Sequence, residues 1–166
     1  AVGETGLDYH YNSEDLEAMR ESFRLHIQIA KETKRPLIIH TRDARDDTIQ
    51  IMKEENAQDI GGVMHCFTEN WEMAEAAMAL GFYISFSGIV TFKNAKELQD
   101  IAKRVPLERM LIETDSPYLT PTPYRGKPNE PQYVRFVAEK IAELRACSVE
   151  EVCNTTSQNF LKLFNL

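Results

Sequence analysis

Cysteine is nearly absent from the chain: Cys66, Cys147 and Cys153 are the only three. They are odd in number and form no C-x-x-C pair, which argues against both a disulfide framework and a structural zinc site. Reduced thiols are the expected state. Also missing is any apolar run near the roughly 20 residues that a bilayer-spanning helix requires, and no signal-peptide pattern opens the chain. The sequence therefore predicts a cytoplasmic protein with no membrane partner. Positive charge is scarce, with 19 Lys and Arg against 26 Asp and Glu and a net charge of −7. A protein that held duplex nucleic acid by neutralising many phosphates would need a basic face, so tight, salt-sensitive duplex binding is disfavoured. An acidic enzyme can still act on a phosphate chain when bound cations supply positive charge locally. The last absence is the initiator methionine. The chain opens in what reads as a strand, Ala1-Val-Gly-Glu4, where an unpaired α-amino charge is costly, so it is expected to be part of a longer polypeptide.

With 166 residues, 43% of them hydrophobic, the chain can bury one good core, and a single domain over 1–166 is expected. It is organised around Met110-Leu-Ile-Glu-Thr-Asp-Ser-Pro-Tyr118. Three apolar residues read as a short buried strand, and Glu113 and Asp115 follow just before a proline. In parallel α/β folds the carboxyl ends of strands are where chemistry is done, so acids in that place are site candidates. The pattern recurs three times: Ala1-Val-Gly-Glu4 ends in an acid, and Pro36-Leu-Ile-Ile-His40 and Gly62-Val-Met-His65 end in histidines.

Between these strands the apolar spacing turns helical. Leu16, Met19, Phe23, Ile27 and Ala30 form one stripe of a helix that starts near Ser13, its expected N-cap, and is closed by Pro36. Further helices are predicted over 44–55, with Ile49 and Met52 inward, over 70–80 and over 95–104. The intervening strands are predicted over 37–39, 62–66, 83–87 and 110–113. Strands alternating with helices imply right-handed crossovers and a parallel sheet, which either an open doubly wound sheet or a (β/α)₈ barrel would satisfy. Five of the seven prolines fall between 117 and 131, a stretch without apolar periodicity that reads as a loop over the site. Helices over 132–145 and from Ser148 onward complete the chain, the last with Glu151 at N3 of a capping box and Leu161, Leu163 and Phe164 as its anchors. There is no repeat beyond the βα pattern, no low-complexity tract and no linker.

Glu4, His40, His65 and Asp115 at successive strand ends are the ligand set of hard or borderline divalent ions such as Mg²⁺, Mn²⁺ or Zn²⁺. Alone, each has a plain structural explanation: a hydrogen-bonded histidine, a loop-capping Glu4, an Asp115 that opens the turn at Ser116-Pro117. Their recurrence at one point of successive strands favours the metal. Asp115 and Glu4 are the candidate catalytic carboxylates, since metals acidify water and clamp phosphodiesters while a carboxylate orients the attacking water. A Cys66–His65 dyad is disfavoured because strand neighbours point to opposite faces. Asp43 reads as a helix N-cap. Arg42 is either a structural ion-pair partner or a phosphate contact, and Asn129 either a helix cap or a substrate contact at a helix N-terminus. Trp71 and Tyr83 read as packing residues, whereas Tyr9, Tyr11 or Tyr124 would stack a base if exposed.

Taken together, Gly3-Glu-Thr-Gly-Leu-Asp8, Ile39-His-Thr-Arg-Asp-Ala44, Met64-His-Cys-Phe67, Glu113-Thr-Asp-Ser-Pro-Tyr118 and Asn129-Glu-Pro131 resemble the TatD family of metal-dependent deoxyribonucleases, within the amidohydrolase-like (β/α)₈ TIM barrels. The resemblance spans nearly the whole chain in family order. It implies that the five strands are the fourth to eighth of the barrel, the C-terminal portion with its helices. It implies two divalent ions, with Glu4 bridging them, His40 and His65 on one, and Asp115 on the other while positioning the water. It implies a 3′ to 5′ exonuclease on single-stranded DNA or RNA. Related barrels suggest an alternative, a metal-dependent esterase or amidase such as an aminoacyl-tRNA deacylase. The family's opening His-x-His strand has no counterpart here, so the resemblance also implies exposed sheet edges, a missing N-terminal barrel segment or another chain as partner, and a crippled or non-catalytic chain in isolation.

Overall fold

The computed structural model describes residues 1–10 and 15–166. Ser13, expected to cap the first helix, and Tyr11 lie outside the described residues. The chain divides into two compact units, one of residues 1–84 with 163–165 and the other of residues 85–162 with 166. Strands follow in the order β1-β2-β3-β4-β5.

The first unit is built from β1 (Val2–Asp8), α1 (Leu16–Thr33), β2 (Leu37–Arg42), α2 (Arg45–Glu54), β3 (Gly62–Met64), α3 (Trp71–Ala79) and the first half of β4 (Tyr83–Phe86). The β1–β2, β2–β3 and β3–β4 pairs are all parallel. Asp15 is the N-cap of α1, its carboxylate accepting from the Ala18 N–H, and Glu17 adds negative charge to the first turn. Phe23, Ile27 and Ala30 recur at helical spacing and are fully buried. The helix ends at Lys34, whose left-handed backbone returns its N–H to the Ala30 and Lys31 carbonyls, two residues before the expected stop at Pro36. In α2 the buried side chains are Thr48, Ile51 and Met52, and Ile49 is only half-buried. A hydrogen bond of 3.2 Å between the Thr41 and Thr48 hydroxyls explains how a polar residue takes that inward place. Asn70 caps α3 through the Met73 N–H. Leu7, Leu37, Ile39, Met64, Phe82 and Ile84 are fully buried with these helices. Ala1 precedes β1 and is exposed, so no buried amino charge arises there.

The second unit contains the rest of β4, a 3-10 turn (Gly88–Thr91), α4 (Lys96–Arg104), β5 (Met110–Ile112), α5 (Val134–Arg145) and most of α6 (Val149–Phe164). The Glu113 N–H donates to the Phe86 carbonyl, tying the end of β5 to β4. One Arg145 nitrogen donates to the carbonyls of Ala102, Lys103 and Val105 at 2.8–3.0 Å, closing the C-terminus of α4 with a cation where the helix dipole favours one. Ser148 caps α6 through the Glu151 N–H, as the capping-box spacing predicts. Leu161 does not hold the end of that helix: it is 47% exposed, and the buried residues of α6 are Val152, Thr156 and Asn159. The Asn159 amide reaches the Leu107 and Met110 carbonyls at 2.9 and 2.8 Å, so α6 is fixed to the start of β5 by hydrogen bonds.

Candidate metal centre

The strand ended at Glu4 in the sequence reading runs on to Asp8. Val2 faces Leu37 and Thr5 faces Ile39, so β1 uses one residue more than β2 over Gly3 and Glu4. Such a bulge re-aims a side chain. Glu4 Oε1 reaches Nδ1 of His40 at 3.2 Å. Regular pairing resumes with Gly6 opposite His40 and Asp8 opposite Arg42. Only glycine serves at position 6, where φ is +134° and a Cβ would lie 1.9 Å from the His40 carbonyl oxygen. From the end of β1, Asp8 Oδ2 reaches Nε2 of the same imidazole at 3.0 Å.

His40 is thus held between two carboxylates. A neutral imidazole has one N–H and one lone pair, so it can donate to only one of them. The other contact sets a lone pair against an anion unless a positive charge lies between. Either a second ring proton or a bound cation satisfies that contact; a divalent ion there would be held by Nδ1 of His40 and by Glu4, leaving Nε2–H to donate to Asp8. A ring nitrogen on the metal and the other on a carboxylate is the usual support of a metal-ligating histidine. Glu4, Thr5, Gly6, Asp8, Met19 and His40 line an open pocket of about 260 Å³. The donor set fits a hard or borderline divalent ion.

His65 lies one residue beyond β3, in a turn rather than in the strand as expected. Leu37, Ile38 and Ile39 pair with Gly62, Val63 and Met64, and the His65 N–H donates to the Ile39 carbonyl at 2.8 Å. Continued by one residue, this register sets the His65 backbone beside that of His40. Cys66 has a positive φ of 43° in that turn, so strand alternation does not govern where it points relative to His65.

In the second unit, Glu113 and Asp115 follow β5. A carboxylate oxygen of each lies within 4.8 Å of the other, a spacing that one cation can bridge. The Ser85 hydroxyl donates to Glu113 Oε2 and fixes that carboxylate. Asp115 takes a left-handed backbone, φ 58°, in a turn closed by the Tyr118 N–H on its carbonyl. The amide of Asn129 is engaged within its own loop. The residue is 4% exposed; its amide nitrogen donates to the Thr114 and Tyr118 carbonyls at 2.7 and 2.6 Å, and its amide oxygen accepts from the Glu130 N–H. The cap position belongs to Glu130, which heads a 3-10 turn (Pro131–Tyr133) that precedes α5, and not to Asn129. Asn129 instead staples the two sides of the loop that carries Asp115.

Arg42 is half-buried at the end of β2, with its carbonyl accepting from the Tyr9 N–H. Asp43 does not cap α2: Ala44 occupies the cap position, and Asp43 Oδ2 lies 3.1 Å from Nδ1 of His10. Tyr83 is buried as expected and Trp71 is half-buried. Tyr9 donates its hydroxyl to Asp47 beside Arg20, and Tyr124 stacks on Tyr133 at 4.7 Å, so neither ring is a bare platform for a base. The sequence reading missed Asp8 as the partner of His40 and left Glu113 outside the ligand set. Thr5 and Leu7 are buried in alternation with Gly6 and Asp8, a period-two signal that would have carried β1 to Asp8.

Parallel strands alternating with helices, with acids and imidazoles at or just past strand ends, define the amidohydrolase type of TIM-barrel α/β fold. The chain belongs to the TatD related DNase family, whose model matches residues 1–165. It is 57% identical over 166 residues to the uncharacterized metal-dependent hydrolase YcfH of Escherichia coli (strain K12), covering 100% of this chain and 63% of that protein. To the uncharacterized metal-dependent hydrolase YabD of Bacillus subtilis (strain 168) it is 51% identical over 166 residues, covering 100% and 65%. The crystal structure of YJJV, a TatD homologue from E. coli K12, matches with a TM-score of 0.91 at 30% identity, covering 100% of this chain and 64% of that one. The chain therefore spans a little under two thirds of the length of these relatives. Among the described residues no helix is long and apolar enough to cross a membrane.

Proposed function

We propose that the chain is the ligand-bearing part of a divalent-metal-dependent hydrolase that removes nucleotides from the 3′ end of single-stranded DNA or RNA. The observation that carries this reading is His40 set between Glu4 and Asp8, a donor set that suits a divalent cation. Glu4, His40, His65 and Asp115 are assigned as ligands of two ions, Mg²⁺, Mn²⁺ or Zn²⁺, and Glu113 joins them on the strength of its spacing from Asp115. Bound there, such ions would acidify a water and offset the charge of the scissile phosphodiester. Asp115 orients the attacking water and takes its proton, Glu4 holds the ligand set together through the bulge of β1, and Asp8 fixes the tautomer of His40. Arg42 remains assigned to a substrate phosphate, and Asn129 is reassigned from substrate contact to holding Asp115 in place.

The test is incubation with 5′-labelled single-stranded oligonucleotide and Mg²⁺ or Mn²⁺. Stepwise shortening from the 3′ end, abolished by chelation and by Asp115→Asn, is expected. Absence of nucleotide release ends the nuclease reading. A mischarged tRNA that loses its amino acid while keeping every nucleotide would select the ester or amide substrate instead.

A further inference from the structure

The loop that begins at Asp115 carries a second feature that metal chemistry does not use. From Ser116 to Asn129 it contains two cations, Arg125 and Lys127, and no acid, in a chain whose net charge is −7. The two sides of the loop are laced together: the Asn129 N–H donates to the Pro117 carbonyl, and the Thr120 hydroxyl to the Lys127 carbonyl. Its outgoing side rests on Gly88, where a Cβ would lie 1.9 Å from the Leu119 carbonyl oxygen. Thr122 is hydrogen-bonded to Thr91 through its backbone N–H. The backbone is therefore ordered well beyond the ends of the loop.

On this frame three side chains are exposed. Tyr118 is 71% exposed although its N–H and carbonyl are both hydrogen-bonded, so an aromatic face is presented to solvent from a fixed backbone. Arg125 lies with its guanidinium 3.7 Å from the centre of the Phe92 ring. The Lys127 ammonium lies 5.5 Å from the ring of Tyr124, which is itself stacked on Tyr133. Stacking holds long cationic side chains in place before a ligand arrives, which lowers the entropy lost on binding. An exposed aromatic ring and two ring-stacked cations carried on one loop, the ring three residues after the candidate ligand Asp115, are the kinds of side chain that single-stranded nucleic acid recognises: bases stack and phosphates pair with cations.

We propose that Tyr118, Arg125 and Lys127 form a docking platform for single-stranded nucleic acid, with Tyr118 stacking a base near the end to be cleaved and Arg125 and Lys127 holding phosphates further along the strand. The platform rests on the nuclease reading for the identity of its ligand. Its test is a binding measurement made without catalysis, so the two can fail separately.

Fluorescence anisotropy of a labelled oligothymidylate, titrated with the full chain in EDTA across a range of salt, reads the platform directly. The double variant R125A/K127A is expected to flatten the slope of log K against log salt by about 1.4, two phosphate contacts at roughly 0.7 each. Tyr118→Ala is expected to weaken binding about 10-fold and leave the slope unchanged, as loss of one stacked base does. K103A/K162A, which removes the same charge from exposed sites on helices, is the control and should bind as the parent does. The proposal is overturned if the parent does not bind, if R125A/K127A matches the control, or if inorganic polyphosphate competes as well as the oligonucleotide and Tyr118→Ala changes nothing. Binding lost in these variants without any nucleotide release by the parent supports the platform and sinks the exonuclease. Nucleotide release with unaltered binding does the reverse.

Discussion

The two units differ sharply in charge. The first carries 16 Asp and Glu against 8 Lys and Arg, the second 10 against 11, so the entire negative balance of the chain lies in the first. Its polar surface includes a cavity of about 530 Å³ lined by Asp43, Asp46 and Asp47, and the one cation there, Arg45, is paired with the buried carboxylate of Glu69. Such a surface concentrates cations and repels a phosphate chain. Of the second unit's ten acids, Glu113, Asp115 and Glu130 stand at the ends of the loop, and none lies between Asp115 and Glu130. Whole-chain charge, which argued against tight duplex binding, averages over a strongly acidic region and a nearly neutral one.

The largest effect expected from testing this contrast is on stability. Gly6→Ala drives a methyl into the His40 carbonyl at a positive φ, and Gly88→Ala drives one into the Leu119 carbonyl. Overpacking costs about 1–3 kcal/mol and the strained backbone of Gly6 about as much again, so denaturant midpoints should fall for both variants and further for Gly6→Ala. Equal losses would show that the backbone geometry of the bulged strand is not specially constrained.

Next in size is the orientation of His40. Asp8→Ala should weaken binding of Mn²⁺ or Zn²⁺ to the chain 10- to 100-fold by calorimetry, on the order of what second partners of metal-bound histidines contribute. Asp8→Asn, whose side-chain oxygen still accepts from Nε2–H, should recover part of that. A normal affinity in Asp8→Ala would remove Asp8 from the site. Asn129→Ala leaves the Thr114 and Tyr118 carbonyls without their donor and should cost about 1 kcal/mol, with amide exchange rising from Thr114 to Tyr118 and little change in the first unit.

The smallest effect concerns Asp47. The Tyr9 hydroxyl, and then the Arg20 guanidinium, hold its carboxyl below the usual carboxylate range, and the same contacts raise the pKa of Arg20. A group with a lowered folded pKa contributes stability above its unfolded value, near 4, and loses it as pH falls through the folded one. Asp47→Asn should therefore be less stable than the parent at neutral pH by under about 1 kcal/mol, since the side chain is 35% exposed and screened. The difference should vanish in acid. A gap that persists at low pH would assign the cost to packing.

Much of this architecture is legible in the sequence because burial imposes periodicity. Phe23, Ile27 and Ala30, or Leu37 and Ile39, announce the faces that they bury, and Asn70 and Ser148 announce the helices that they cap. The candidate ligands were legible as residue types at strand ends. What escaped depends on backbone devices with no periodic trace: the extra residue at Gly3 and Glu4, the left-handed turn that takes His65 and Cys66 out of β3, and the left-handed Asp43 that leaves α2 without a side-chain cap. Long-range polar pairs escaped as well. Asn129 looked like a helix cap because a proline-started turn follows it, yet its partners lie 11 and 15 residues earlier.

The staple at Asn129 divides its loop into a neck and a tip with different freedoms. The neck, from Thr114 to Tyr118 closed by Asn129, sets the position of Asp115. The tip runs past Gly126, where a Cβ would meet nothing within 4 Å. Gly126 itself needs its positive φ, but Arg125 and Lys127 on either side of it are exposed, so their side chains can be exchanged while the carboxylate stays where it is. Substitutions at the tip are thereby uncoupled from the carboxylate held at the neck.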